Sequence, residues 1–361
     1  PVSFKGIFDG QDHTISNLTI NKPGVSSTGF ITSLNGTFKN VTFTNPTVTG
    51  GDCTAVVAGR AGGGAAYAHN ITINGTIKVE TTHSGYARTG GIVGGWAYGK
   101  YENITIDGGD KATSYIKHTG GGDGRYVAGI VGHADDVESY TNCTVKNITI
   151  SGGWLCGGIA GPGPSDGLAT GCSVENIDMG ADYSGGMFGW YYGDGTIKDA
   201  TVKDVTFTDG STCNGAIGGY SNNEDATVKN VIIDNVKNEN GKPIFTFAAT
   251  IADGTDIYYY ATLEAAFTAA TEGQTITLLG NCDLSEKTIK VNNNITLDLN
   301  GDTITGTDKA TGSFALIEIQ PGAELIIEDS SEPSTGNITL TSTNNREWNA
   351  YSSVISTQRG K

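Results

Sequence analysis

Gly132-His133-Ala134-Asp135-Asp136 is the nearest this chain comes to an acid–base set, with one imidazole and two carboxylates inside four positions. Hydrolysis of a glycan wants two or three carboxylates converging on one face, and elimination wants a base beside a calcium-binding acidic cluster. Arg125 is the basic residue near this set, which is incomplete for either reaction. It reads as a solvated turn leaving a strand. Asp9 and Asp12 flank another turn, while Asp107, Asp110 and Asp123 would be calcium ligands only in a spacing that fits neither an EF-hand nor a nonapeptide repeat. Gly120-Gly121-Gly122-Asp123-Gly124 lacks the following helix and the lysine of a phosphate loop. The six cysteines (Cys53, Cys143, Cys156, Cys172, Cys213 and Cys282) contain no C-x-x-C pair and no zinc spacing, and they read first as buried small hydrophobes. Cys143 and Cys172 each stand four residues before an Asn of the repeat described below, which would stack them on adjacent coils. No catalytic residue, metal or cofactor is expected from these motifs.

Binding chemistry has a better candidate. Arg60, Trp96, His133, Pro162, Trp190 and Tyr220 recur one or two positions after the glycine that closes a repeated apolar pair, with Tyr98, Tyr191 and Tyr192 close by. Rings in a row suit a glycan, because sugar C–H faces pack on aromatic faces while hydroxyls take hydrogen bonds. The expected ligand-binding set is therefore Trp96, Tyr98, His133, Trp190, Tyr191 and Tyr220. A one-residue scatter in the column argues the other way, since neighbouring positions on a strand face opposite sides. Corner packing is the competing role for these rings.

The element that would position the column is a repeat. Seven apolar pairs (Phe30-Ile31, Val57-Ala58, Ile92-Val93, Ile130-Val131, Ile159-Ala160, Met187-Phe188 and Ala216-Ile217) are separated by steps of 27, 35, 38, 29, 28 and 29 residues. Each is followed by a strand opening with Asn or Asp: Asn40, Asn70, Asn103, Asn147, Asn176, Asp204 and Asn230. That period signals a solenoid in which one repeat makes one coil, the two long steps marking insertions. Alternation in Asn103-Ile104-Thr105-Ile106 and Asn147-Ile148-Thr149-Ile150 marks strands with one apolar face. Stacking such coils gives a parallel β-helix, and the seven Asn/Asp openings are expected to align in a single ladder at one corner. Most of the ten N-x-[ST] sequons coincide with these openings and read as ladder residues before glycan acceptors. A threonine array of the ice-binding kind is not sustained, because pairs such as Thr42/Thr44 and Thr206/Thr208 are missing from other coils.

The repeat region is expected over residues 1–236, a connection over 237–260, and a second β-helix module over 261–361 that is cut short at its C-terminus. The connection begins at the polar break Lys237-Asn238-Glu239-Asn240-Gly241-Lys242-Pro243 and includes the apolar strand Ile244–Phe247. Thr262 as N-cap, with Leu263, Ala266, Phe267 and Ala270 at helical spacing and Gly273 beyond, predicts one short capping helix. Strands are expected at 275–279, 288–291, 295–299, 315–319, 325–328 and 337–341.

Composition excludes whole classes of partner. Against 22 basic residues, only five of them Arg, stand 38 acidic ones, for a formal charge of −16. Such a field repels nucleic-acid phosphate and anionic membrane surfaces, so no nucleic acid is expected. No apolar run suggests membrane insertion within this chain. Fifty-four glycines without a G-X-Y period serve turns. Low Lys and Arg with high Thr, Asn and Gly fit a secreted or cell-surface protein.

Phe4-Lys5-Gly6-Ile7-Phe8-Asp9-Gly10-Gln11-Asp12-His13-Thr14-Ile15-Ser16-Asn17-Leu18-Thr19-Ile20 resembles the opening of bacterial surface proteins with GLUG-type repeats, differing at Asp12 where that pattern has Gly. Gly91-Ile92-Val93-Gly94 and Gly129-Ile130-Val131-Gly132 look like the repeat itself. Residues 261–306 are similar to the start of another β-helix module of gut-bacterial surface proteins. The resemblance implies an all-β, right-handed parallel β-helix of the pectin-lyase-like kind, adhesion or display, and further domains in the same polypeptide. It brings no catalytic residue, and the Gly-His-Gly and Arg-Ile-Lys elements of pectin hydrolases are absent. The leading expectation is a non-enzymatic stalk and adhesive surface for a glycan or host surface component. The alternative is a fragment of a carbohydrate-active enzyme, either lyase or hydrolase.

Overall fold

A computed structural model describes residues 3–122, 125–163, 166–191, 193–208, 213–221, 226–239, 247–309, 312–342 and 351–357. The described residues are nearly all β, with parallel strands stacked as in a β-solenoid and one short helix. The chain divides into two compact units, Pro1–Thr246 and Phe247–Lys361. Among the described residues no helix is long and apolar enough to cross a membrane.

In the first unit, strands of successive coils pair in parallel and mostly in register. Ile7–Ser16 pairs with Thr37–Thr44, that strand with Tyr67–Asn74, and that with Val93–Asp107. Identical positions therefore pile into columns. Val41, Ile71 and Ile104 form one inward column, and Phe43, Ile73 and Ile106 the next, all almost wholly buried. Each buried side chain of this size contributes about 1.5–3 kcal/mol. The β-branched residues suit this pleated stack, and the intervening Thr residues stay on the half-exposed face.

The apolar pairs form a second wall. Ile31, Ala58, Val93, Val131, Ala160 and Phe188 stand in one backbone column. The seventh pair slips by one residue, so that Gly218 lies opposite Phe188.

The corner differs from the single ladder expected. All seven Asn/Asp openings adopt left-handed backbone, with φ between 52 and 56°. Asn and Asp tolerate that conformation better than other side-chain-bearing residues. Register, however, divides them between two columns. Glu102 pairs with Thr141, which sets Asn103 against Asn142, whereas Lys146 pairs with Glu175, which sets Asn147 against Asn176.

The cause is that a coil turns twice, five residues apart, and both bends are left-handed: Asn40/Asn45, Asn70/Gly75, Asn142/Asn147, Gly171/Asn176, Asp199/Asp204 and Asn230/Asn235. The first ladder runs through hydrogen bonds donated by Asn40 to Asp9, Asn70 to Asn40 and Asn103 to Asn70, each 3.0 Å, and by Asn142 to Asn103 at 3.2 Å. The second includes Asn147 donating to Asp107 and Asn176 to Asn147, both at 2.8 Å. Glycine replaces Asn where a side chain would collide with the rung below: a Cβ at Gly75 would strike Asn45 Oδ1, and one at Gly171 would strike Asn142 Oδ1. Asn230 belongs to the first ladder, through Asp199.

Lys237–Asn238, expected in the connection, forms a strand against Thr206–Phe207 in the first unit. Residues 240–246, which hold most of the expected Ile244–Phe247 strand, lie outside the described residues. The second unit opens with an antiparallel hairpin, Ala249–Asp253 with Asp256–Tyr260, within the segment read from sequence as a connection.

The helix Leu263–Ala269 follows, capped by Thr262 Oγ1, which accepts from the Ala265 N–H at 3.1 Å. Leu263, Ala266, Phe267 and Ala270 enter one core with Ile276, Leu278, Ile289, Leu297 and Leu316. Three columns of parallel strands surround that core: Thr275–Leu278, Ile295–Asp298 and Leu325–Glu328; Cys282–Asp283, Thr303–Asp308 and Asn337–Ser342; Ile289–Val291, Phe314–Ile319 and Ser352–Thr357. The sequence reading missed the strands at 282–283, 303–308 and 352–357.

Candidate functional site: an aromatic row on the first unit

The row is set by a bulge. Gly95 pairs with Arg60 and Ala97 with Ala61, leaving Trp96 as an extra residue with left-handed backbone, φ 52°. One unpaired residue re-aims its side chain. Trp96 is 41% exposed, and Gly95 takes the column position beside Arg60. The scatter seen in the sequence is thus partly absorbed by a bulge.

On the next coil His133 lies level with the bulge, its N–H donating to Gly94 O and its carbonyl accepting from Ala97 N, both at 3.1 Å. Its ring meets Trp96 edge-on, with centroids 5.8 Å apart. The contacts then continue through residues the sequence reading passed over. His133 packs on Tyr126 at 4.5 Å, Tyr126 on Trp154 at 6.2 Å, and Trp154 on Tyr183 at 5.8 Å, all T-shaped. Such pairs contribute about 0.5–1.5 kcal/mol each beyond their burial. The result is a row of five rings spanning four coils, with Tyr126, Trp154 and Tyr183 half-buried.

Arg88 closes one end. Its guanidinium lies over the Trp96 ring at 4.4 Å and the Tyr86 ring at 5.7 Å, and its Nη1 is 2.5 Å from Asp52 Oδ1. Arg60 reaches the other Asp52 oxygen at 3.4 Å. Asp52 is therefore committed to two arginines. Burial, and after it the Arg88 charge, pulls the His133 pKa down to about 4, so its imidazole is neutral at neutral pH. Burial raises Asp135 above the usual carboxylate range. His133 Nδ1 and Asp135 Oδ1 are 3.6 Å apart, too far for a hydrogen bond. This pair sits in the wall of the solenoid beside Arg88 and is not the solvated turn expected.

The expected site residues meet different fates. Trp96 and His133 are brought together. Tyr98 is half-buried, and its carbonyl accepts from Tyr101 Oη at 3.3 Å. Trp190 lies three coils beyond Trp96, its backbone in register with Pro162 and Tyr220 and its side chain half-buried. Tyr191 is a correction: strand alternation turns it into the core, where its hydroxyl donates to Gly195 O at 3.1 Å and its ring stacks on Phe188. Tyr192 and the side chain of Tyr220 lie outside the described residues.

Of the calcium candidates, Asp107 is held by Asn147, Lys146 and the Gly109 N–H, and Asp110 accepts from Ala112 N within its own loop. Asp123 and Gly124 lie outside the described residues, among which no group of His, Cys, Asp and Glu could hold a metal ion. The missed residues of the row carried a sequence signal: Arg88, Tyr126 and Tyr183 each stand four residues before their apolar pair, and Trp154 five.

No family model and no solved structure matches the chain. Over 94 residues it is 38% identical to Halomucin of Haloquadratum walsbyi (strain DSM 16790 / HBSQ001), a stretch covering 26% of this chain and 1% of that protein. The chain spans only a small fraction of the length of the relative it matches.

Proposed function

We propose that this chain is a secreted or cell-surface β-solenoid that acts as a non-catalytic stalk and binds an extended, uncharged glycan, borne free or on a host surface, along the aromatic row of its first unit. The observation that carries the reading is the continuous ring contact from Trp96 to Tyr183 over four coils. Consecutive coils are about 4.8 Å apart, comparable to one sugar unit of an extended chain, so the row offers weak contacts at a sugar-like interval. At its end Arg88 and Arg60 share the single carboxylate of Asp52, so little free charge faces the row, and the chain's net charge of −16 disfavours polyanionic glycans. The GLUG-type resemblance and the stretch shared with Halomucin support a surface location. Further domains of the same polypeptide would supply anchoring.

The test is a glycan-array screen followed by calorimetry with a neutral oligosaccharide hit, comparing the wild type with Trp96→Ala and Trp154→Ala. Loss of a packed aromatic contact is expected to weaken binding about tenfold or more. Unchanged affinity in both variants, with the β-rich circular dichroism retained, would remove the row as the site. Release of new reducing ends or unsaturated products from the same glycans would move the assignment to a carbohydrate-active enzyme.

A further inference from the structure

Cys143 and Cys172 are neighbours across one coil boundary. Thr144 pairs with Ser173 and Val145 with Val174, so the two cysteines occupy the same position on adjacent parallel strands. The Ser173 N–H donates to the Cys143 carbonyl at 2.8 Å, which ties the backbones at that point. Both side chains face the core and are almost fully buried. They continue the inward column of Val41, Ile71 and Ile104, in which every other described member is apolar and unreactive.

In-register parallel strands set Cα atoms about 4.8 Å apart, inside the range of about 4.4–6.8 Å that disulfides span. Among the described residues the other cysteines have no such neighbour. Cys53 pairs with Ser27 and Arg88, Cys156 with Val127 and Ser184, Cys213 with Tyr183, and Cys282 with Ile304.

We infer that Cys143 and Cys172 form an inter-coil disulfide when the chain folds in the presence of a low-molecular-weight disulfide oxidant. The Cys172 thiolate attacks one sulfur of the oxidant and expels one small thiol, giving a mixed disulfide. The Cys143 thiolate then attacks Cys172 Sγ, forming the inter-coil bond and expelling the second small thiol. Two protein thiols are oxidised and one small disulfide is reduced to two thiols, so atoms and electrons balance. Once the two coils meet, a hydrogen bond from Cys143 lowers the Cys172 thiol pKa, while packing around Cys143 raises its own, which favours Cys172 as the first attacker in the docked pair. Burial also dictates timing. The exchange belongs to the docking of these two coils, before the pair is fully enclosed in the core, and the finished bond is shielded from reductant. Its loop joins the coil that carries His133 and Tyr126 to the one that carries Trp154, so it braces the middle of the aromatic row.

The experiment is refolding of the full chain from denaturant into a mixture of oxidised and reduced glutathione, followed by non-reducing proteolysis and mass spectrometry. The expected result is one dominant cross-linked peptide joining Cys143 to Cys172. It persists in Cys53→Ala and Cys156→Ala and disappears in Cys143→Ala or Cys172→Ala. Closing a loop of this length should also raise Tm by about 5 °C or more over the dithiothreitol-reduced protein, a difference absent from the Cys143→Ala/Cys172→Ala double variant. Recovery of both cysteines as alkylated thiols from protein folded in the oxidant, or their capture in bridges to other cysteines, overturns the inference.

Discussion

Asn176 Nδ2 donates to Asn147 Oδ1 at 2.8 Å across a coil boundary, and Asn147 in turn donates to Asp107 at 2.8 Å. Both Asn residues hold left-handed backbone, φ 52° and 56°. The side chain thus does two jobs at once: it tolerates the bend, and it repairs the hydrogen bonding that the bend interrupts.

This duality predicts an order among variants at position 147. Asn147→Ala loses two side-chain hydrogen bonds, worth about 1 kcal/mol each, and places an ordinary L-residue in left-handed backbone at a cost of about 1–2 kcal/mol. Asn147→Gly loses only the bonds. Urea denaturation should therefore rank the wild type above Gly and Gly above Ala, with Ala lower than wild type by roughly 3–4 kcal/mol. Equal stability of the two variants would mean that the bend carries no strain.

The coil itself was legible because apolar pairs recur at a near-constant step and alternate with polar residues. The second bend was not, because its residue type varies: Asn45 and Asn147 look like ladder members, whereas Gly75 occupies the same place to clear the Asn45 amide. Without the two-bend rule, Asn147, Asn176 and Asp204 were aligned with Asn103 when they belong one corner further on. The row of rings was half legible for a related reason. Trp96 and His133 share a column only through a bulge, which no local pattern announces, and Tyr126, Trp154 and Tyr183 reach them from the strand before the apolar pair. Tyr191 was misplaced because a run of adjacent aromatics conceals which of them the pleat turns inward.

Arg88 is expected to be structurally indispensable to the end of the row. Its side chain is 7% exposed and that of Asp52 18%, so removing the guanidinium leaves a largely buried carboxylate with only the longer Arg60 contact. Loss of one partner of a buried pair costs about 3–5 kcal/mol, and the remaining arginine lowers this to about 2–4 kcal/mol for Arg88→Met. The double variant Arg88→Met/Asp52→Asn should recover at least half of that loss in chemical denaturation. No recovery would show that Arg88 acts through its stacking on Trp96 and Tyr86 and not through Asp52.

His133 gives the fold a pH dependence with a definite sign. Its folded pKa of about 4 lies below the ordinary value of 6.5, so between those limits the unfolded chain binds the proton that the folded one refuses. Stability contributed by the neutral imidazole is complete above pH 6.5 and falls as pH drops toward 4, by on the order of 3 kcal/mol at 1.36 kcal/mol per unit. Arg88 and Asp135 face the ring, and the raised Asp135 pKa acts in the opposite direction, weakening the fold as its carboxyl ionises. Urea midpoints measured from pH 4 to 7 should rise more steeply with pH in the wild type than in His133→Gln. Parallel curves would place the protonation cost elsewhere.

Tyr191 separates packing from binding. Its hydroxyl donates to Gly195 O at 3.1 Å in the core, and its ring stacks on Phe188. Tyr191→Phe keeps the stack and leaves the carbonyl of Gly195 short of a donor, a loss of about 1 kcal/mol in chemical denaturation. Because the side chain faces inward while Trp154 lies on the half-exposed row, the same variant should bind a neutral oligosaccharide with wild-type affinity, whereas Trp154→Ala weakens that binding with less effect on the unfolding midpoint than removal of a core ring such as Phe188. If Tyr191→Phe lowered affinity as much as Trp154→Ala, an inward-facing hydroxyl would be affecting binding through packing, and affinity could no longer be assigned to the exposed row of rings alone.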